Sequence, residues 1–187
     1  IFRMNNCMDA DLLNKYLWTV KKQAIAFISS ILLLEMISPL GLAEDALPKG
    51  KDYPAVIYHG KTATSVDRTD EFTNMFHTRF KEALQNDAVF AGEYAQTEWG
   101  CGGSGCHVIA FINKRTGRAL SHTFQVYYSG TDEEPQPIGE EILYMDKKSR
   151  LLVAYKTTES LEKSYDYYLL NGNELVLIRK VPDKGGY

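Results

Sequence analysis

From Gly92 onward the chain reads as short runs of alternating apolar and polar residues separated by turn signals, and this pattern restricts its fold most. A period of two sends successive side chains to opposite faces of a sheet, so one face can be buried while the other meets water. Strands are expected at Gly92–Trp99, Cys106–Ile112, Arg118–Tyr128, Glu141–Met145, Arg150–Lys156, Ser164–Leu170 and Glu174–Val181. Asn171, Gly172 and Asn173 mark a tight final hairpin, and Asn113–Gly117 is a turn with glycine at its close. Ser129–Gly139 is polar and holds two prolines, so it is expected to be an exposed connection. The chain has 12 tyrosines against 8 phenylalanines, most of them in the alternating segments, which favours sheet over helix bundle.

One helix stands out against this background. Phe72, Met75, Phe76, Phe80, Ala83 and Leu84 recur on one face at a 3.6-residue period, with Asp67 or Thr69 as the expected cap and Asn86–Asp87 as the end. Such a stripe is core rather than a cofactor box. Residues 44–66 carry Pro48, Pro54 and Gly60 and read as irregular, with one short strand expected at Ala55–Tyr58. The expected fold class is therefore α+β, mainly antiparallel β. One N-terminal amphipathic helix packs on a meander-rich sheet of about seven strands, within a single globular domain over residues 67–187.

The upstream part has a different character. Lys21 and Lys22 precede the apolar run Ala24–Leu34, Pro39 breaks it, and Gly41 and Ala43 place small residues where a signal peptidase needs them. Residues 20–43 thus read as a signal peptide cleaved after Ala43, and residues 1–19 as an upstream extension outside the working protein. Glu35 interrupts the apolar run and argues against a permanent anchor, so membrane contact is expected only in transit. Residues 1–43 carry four basic and three acidic groups, which leaves the rest of the chain at a formal −4. A mildly acidic domain without a Lys/Arg cluster lacks the electrostatic footprint of a nucleic-acid binder.

Beyond the expected cleavage point two cysteines remain, Cys101 and Cys106. In an oxidising compartment a close, even pair is most simply a structural disulfide, and the glycines between them let the loop fold back. Trp99, Gly100, Gly102, Gly103, Ser104, Gly105 and His107 then form a candidate binding loop on rigid strands. Other chemistries compete. Thiol–disulfide exchange uses C-x-x-C at a helix N-terminus, whereas here four residues intervene and a strand follows. Metal binding would combine the cysteines and His107 with His59, His77 or His122, which lack paired spacing. A Cys–His nucleophile would need Cys106 free of the disulfide. Gly100–Gly105 also matches G-x-G-x-x-G, but a strand follows where a dinucleotide site needs a helix. Glu133, Glu134, Glu140 and Glu141 are expected to be solvated, and Tyr165, Tyr167 and Tyr168 to lie on a solvated sheet face rather than to line a binding surface. No catalytic residue, metal or cofactor is assigned.

Phe90-Ala91-Gly92-Glu93-Tyr94, then Trp99-Gly100-Cys101-Gly102 with Cys106 behind, together with Thr116-Gly117-Arg118 and Ser149–Val153, resembles a family of small exported bacterial proteins without an assigned activity. The resemblance covers about residues 88–181, although four residues separate the cysteines where three is the family's habit. It implies a periplasmic or secreted location and a disulfide, and it carries over no catalytic residue. The expectation is a non-enzymatic binding, inhibitory or accessory module of the cell envelope, with an envelope protein or small ligand as partner. The alternative is a thiol–disulfide oxidoreductase, or another envelope enzyme, using the Cys101/Cys106 loop.

Overall fold

The computed structural model describes residues 46–102, 105–130 and 133–185. The chain divides between Ala46 and Leu47, and every element below belongs to the second unit. The expected extension and signal peptide lie outside the described residues.

Seven strands form one antiparallel sheet in which each strand pairs with its sequence neighbours: β1 (Tyr94–Gly100), β2 (His107–Asn113), β3 (Phe124–Gly130), β4 (Pro135–Tyr144), β5 (Leu151–Thr157), β6 (Lys163–Asn171) and β7 (Glu174–Pro182). Short connections bring each strand back beside the one before, which is why a meander results. The mainly antiparallel β architecture expected from the alternation is the one observed. Two boundaries differ from expectation. Residues 118–123 are not strand; Ala119 alone bridges back to Ile112, and fully buried Leu120 plugs the core from this connection. The expected exposed connection at 129–139 is largely sheet, because β3 continues to Gly130 and β4 begins at Pro135. Pro135 and Pro137 pair with β3 on one side, and the ladder to β5 begins only at Gly139 opposite Thr157. Proline has no N–H to give, so it fits where a strand has one neighbour instead of two.

The single expected helix is two short ones, α1 (Glu71–Met75) and α2 (His77–Ala83), joined at Phe76. The cap is Asp70, not Asp67 or Thr69: its carboxylate accepts from the Thr73 backbone N–H at 2.8 Å and the Thr73 hydroxyl at 2.6 Å. At the joint the His77 ring Nδ1 meets the Asn74 carbonyl oxygen at 2.8 Å, a group a continuous helix would bond to a later backbone N–H. The break turns Met75 outward to 63% exposure while Phe80, Ala83 and Leu84 remain buried. These last three pack with Ala95, Ala110, Ile112 and Ala119, with Phe72, Phe76 and Trp99 at the margin. A larger cluster, including Phe90, Tyr94, Phe111, Leu120, Phe124, Leu152, Tyr168 and Leu170, forms the main core.

The segment before the helices is not the strand expected at Ala55–Tyr58, yet it is tied to one end of the sheet. Backbone N–H groups of Ala55, Tyr58, Ala63 and Asp67 donate to the carbonyls of Lys148, Gly92, Lys114 and Gly117. Gly92 (φ +81°) and Gly117 (φ +71°) allow this crossing: an added Cβ would lie 2.0 Å from the Val56 carbonyl oxygen and 2.3 Å from that of Ser65. On the far edge, β7 advances two residues, Leu177 to Arg179, while β6 advances one, Tyr168 to Tyr167. This bulge at Ile178 reverses the alternation and explains three consecutive exposed apolar residues, Val176, Leu177 and Ile178. It also keeps the edge from presenting one uniform face to another strand.

Candidate functional site

The β1–β2, β3–β4 and β5–β6 connections all lie at the same end of the meander, since each joins an odd strand to the next even one. At this end Cys101 and Cys106 form the disulfide, with Cα atoms 5.1 Å apart, and the Cys101 N–H donates to the Cys106 carbonyl at 3.0 Å. The pair therefore extends the β1–β2 ladder one step beyond Gly100 opposite His107. Strand β3 supports it from the side. The Gln125 side-chain amide donates to Cys106 Sγ at 3.3 Å, and the Tyr128 ring lies so close to Gly105 (φ +67°) that an added Cβ would fall 2.9 Å from it. Cys106 is buried, whereas Cys101, Gly102, Gly105 and His107 are exposed. Gly103 and Ser104 lie outside the described residues.

Trp99 is placed differently from the rest of the candidate loop. Its side chain turns toward the helices, stacked on Phe76 with centroids 4.7 Å apart and edge-on to Phe80 at 6.3 Å. Alternation along β1 accounts for this, because Ala95 and Trp99 share the face that the helices cover. The structure thus gathers Gly100, Gly102, Gly105 and His107 at the tip and gives Trp99 a packing role beneath α1 and α2. Of the four histidines, His107 borders the tip; His59 lies in the 54–67 segment, His77 begins α2 and His122 precedes β3. Among the described residues no group of three or more His, Cys, Asp or Glu is arranged to hold a metal ion. The F-A-G-x-Y and T-G-R motifs also prove structural, being the turns that the N-terminal segment crosses. Glu93 is engaged there, accepting from Asn113 at 3.0 Å and forming an ion pair with Arg115, whose guanidinium lies over the Tyr58 ring.

A second polar constellation corrects the expectation that Glu140 is solvated, and the burial of Tyr167 and Tyr168 likewise corrects their expected place on a solvated face, where Tyr165 alone of the three is exposed. Glu140 is only 9% exposed and takes three donors: His122 Nε2 at 2.8 Å, Lys156 Nζ at 2.6 Å and the Tyr168 hydroxyl at 3.1 Å. Lys156 lies directly across the β4–β5 ladder, and Tyr168 reaches over from β6. The His122 ring packs between Phe124 and Tyr168, at 4.6 and 5.1 Å, so the network closes one side of the main core. Burial pushes the Glu140 carboxyl up, but hydrogen bonds and charge from His122 and Lys156 outweigh it and hold the group at about 2. The hydrogen bond to Glu140 raises the Lys156 ammonium, and burial raises the Tyr168 phenol, with the Glu140 charge adding to it. One sequence signal bears on this: Ile138, Glu140 and Ile142 are in phase, so Glu140 occupies a position whose neighbours are apolar. Its partners come from other strands and have no local signal.

No family model matches this sequence, and no curated protein or solved structure is significantly similar to it. The geometry described above therefore carries the functional reading.

Proposed function

We propose that this protein is a non-enzymatic binding or accessory module of the bacterial cell envelope, exported to the periplasm or beyond, that meets its partner through the disulfide-closed end of its sheet. The observation that carries this reading is the bracing of that tip. The Cys101–Cys106 bond, the Gln125 contact and the Tyr128 ring brace Cys101, Gly105 and Cys106 where β1 and β2 end. Residues braced in this way lose little entropy on binding, and a half-exposed tyrosine beside them offers contact area with few rotors. The resemblance to exported bacterial proteins with a W-G-C-G motif agrees with the location.

The Glu140 network supports a role other than catalysis. A general acid or base works best with a pKa near the working pH, whereas the Glu140 carboxyl moves down and its Lys156 and Tyr168 partners move up, all away from neutrality. Such shifts suit a structural cluster of fixed protonation, with Glu140 and Lys156 charged and Tyr168 neutral.

Site-specific photo-crosslinking in exporting bacterial cells tests the proposal. A photoreactive residue at Tyr128 or His107 should trap the same discrete partner, and one at Lys148, at the opposite end of the sheet, should not. Equal trapping from all three positions, or none from Tyr128 and His107, overturns it.

A further inference from the structure

The two sulfurs of the tip disulfide have different surroundings, and the strand order is the reason. Cys101 follows β1, the first strand of the sheet, which among the described residues has a strand neighbour on one side only. Cys106 precedes β2 and lies between β1 and β3. Cys101 is accordingly exposed, whereas Cys106 is 9% exposed and accepts the Gln125 side-chain amide on its Sγ at 3.3 Å. In thiol–disulfide exchange a thiolate attacks one sulfur in line with the bond, and the other sulfur leaves as a thiolate. Attack on Cys106 must come from the side away from Cys101, where β3 and the Gln125 amide stand. Attack on Cys101 comes from beyond the open edge of the sheet. The fold does not depend on the bond, because the β1–β2 ladder runs unaided from Tyr94 opposite Asn113 to Gly100 opposite His107.

We propose that this disulfide is an exchange site of fixed polarity, at which an alkyl thiolate joins Cys101 and Cys106 leaves. The incoming sulfur bonds to Cys101 Sγ as the Sγ–Sγ bond breaks, and the electron pair of that bond departs on Cys106 Sγ. The products are a mixed disulfide at Cys101 and a thiolate at Cys106, so one disulfide replaces another with no net oxidation. The Gln125 amide already points at the sulfur on which charge develops. A donor in place beforehand needs no reorganisation, and a stabilised thiolate leaves faster. Return attack by Cys106 on Cys101 expels the thiol and restores the tip, so the modification is reversible. Both cysteines flank strands and lack the helix N-terminus that activates an oxidoreductase thiol, so the exchange is stoichiometric and not a turnover reaction. It goes beyond the binding role proposed for the tip and requires no partner at Tyr128 or His107, so purified components decide it.

The test treats the oxidised full chain with reduced glutathione, quenches early in acid, alkylates the freed thiol and locates both groups by tandem mass spectrometry. Glutathione should be found on Cys101 and the alkyl group on Cys106, in about tenfold or greater excess over the reverse. A small folded protein with one surface cysteine, offered in place of glutathione, should give the same polarity if the sheet edge admits a protein thiol. Reaction of glutathione alone limits the co-reactant to small thiols. Gln125→Leu should slow opening by about threefold or more, with its urea midpoint reporting that the sheet is kept. Adducts split evenly or found mainly on Cys106 overturn the proposal, as does a bond that glutathione opens only after unfolding in urea. An unchanged opening rate in Gln125→Leu overturns the part given to the amide. The polarity is read on the parent protein and does not depend on how the variant folds.

Discussion

Trp99 on β1 stacks against Phe76 at the joint between the two helices, with ring planes 26° from parallel. With the edge-on Phe80 contact, this stack ties the helical layer to the strand leading into the disulfide, so a residue beside the tip also holds the fold together. Trp99→Ala should therefore lower stability by about 2–3 kcal/mol, through lost burial and lost ring contacts. Trp99→Phe should recover most of it. Urea unfolding measures both; a Trp99→Ala change below about 0.5 kcal/mol would remove the packing role.

Stability should fall in acid through Glu140. Its carboxyl titrates at about 2 in the folded protein against an ordinary 4.5, so its contribution is complete above the unfolded value and is lost as pH drops through the folded one. The shift corresponds to about 3 kcal/mol at most, and solvent screening at the partly exposed Lys156 reduces that to about 1–3 kcal/mol. Glu140→Gln should flatten the stability profile between about pH 4.5 and 2. An unchanged slope in acid-dependent unfolding would count against the network.

The disulfide closes a short loop, so its effect on the unfolded chain is limited. Reduction, or the Cys101→Ser/Cys106→Ser variant, should cost about 2 kcal/mol or less while the sheet remains folded. Thermal unfolding with and without reductant measures this. Complete unfolding on reduction at room temperature would show that the bond holds more than the tip.

Three glycines with similar positive φ should respond differently to alanine. At Gly172 nothing lies within 4 Å of the added Cβ, so the cost is the backbone term alone, about 1 kcal/mol. At Gly92 and Gly117 the Cβ would meet a backbone carbonyl of the crossing segment, and the loss should exceed that at Gly172 by about 1–3 kcal/mol. Chemical denaturation of the three variants provides the ranking, and equal losses would rule out the close crossing.

Much of the fold was legible because it is local. Alternation located all seven strands, and the Asn171–Asn173 turn located the last hairpin. The errors fall where local pattern competes with tertiary placement. The stripe Phe72–Leu84 reads as one helix, but the joint at Phe76 lets its ring lie flat on Trp99 while Met75 swings out. Prolines at 135 and 137 read as loop, yet a strand with one neighbour accepts them. Glu140 reads as solvated from its polar surroundings, although its phase with Ile138 and Ile142 pointed inward.

The sequence by itself determined a mainly antiparallel, meander-rich sheet of about seven strands and the cysteine pair, because these depend on periodicity and on residues close together along the chain. Only the tertiary structure decided that Trp99 faces the helices and that Glu140 gathers His122, Lys156 and Tyr168. Each of these juxtapositions depends on which residues stand opposite one another across the sheet. That register is set by many weak packing and hydrogen-bonding terms acting together, and no short stretch of sequence contains it.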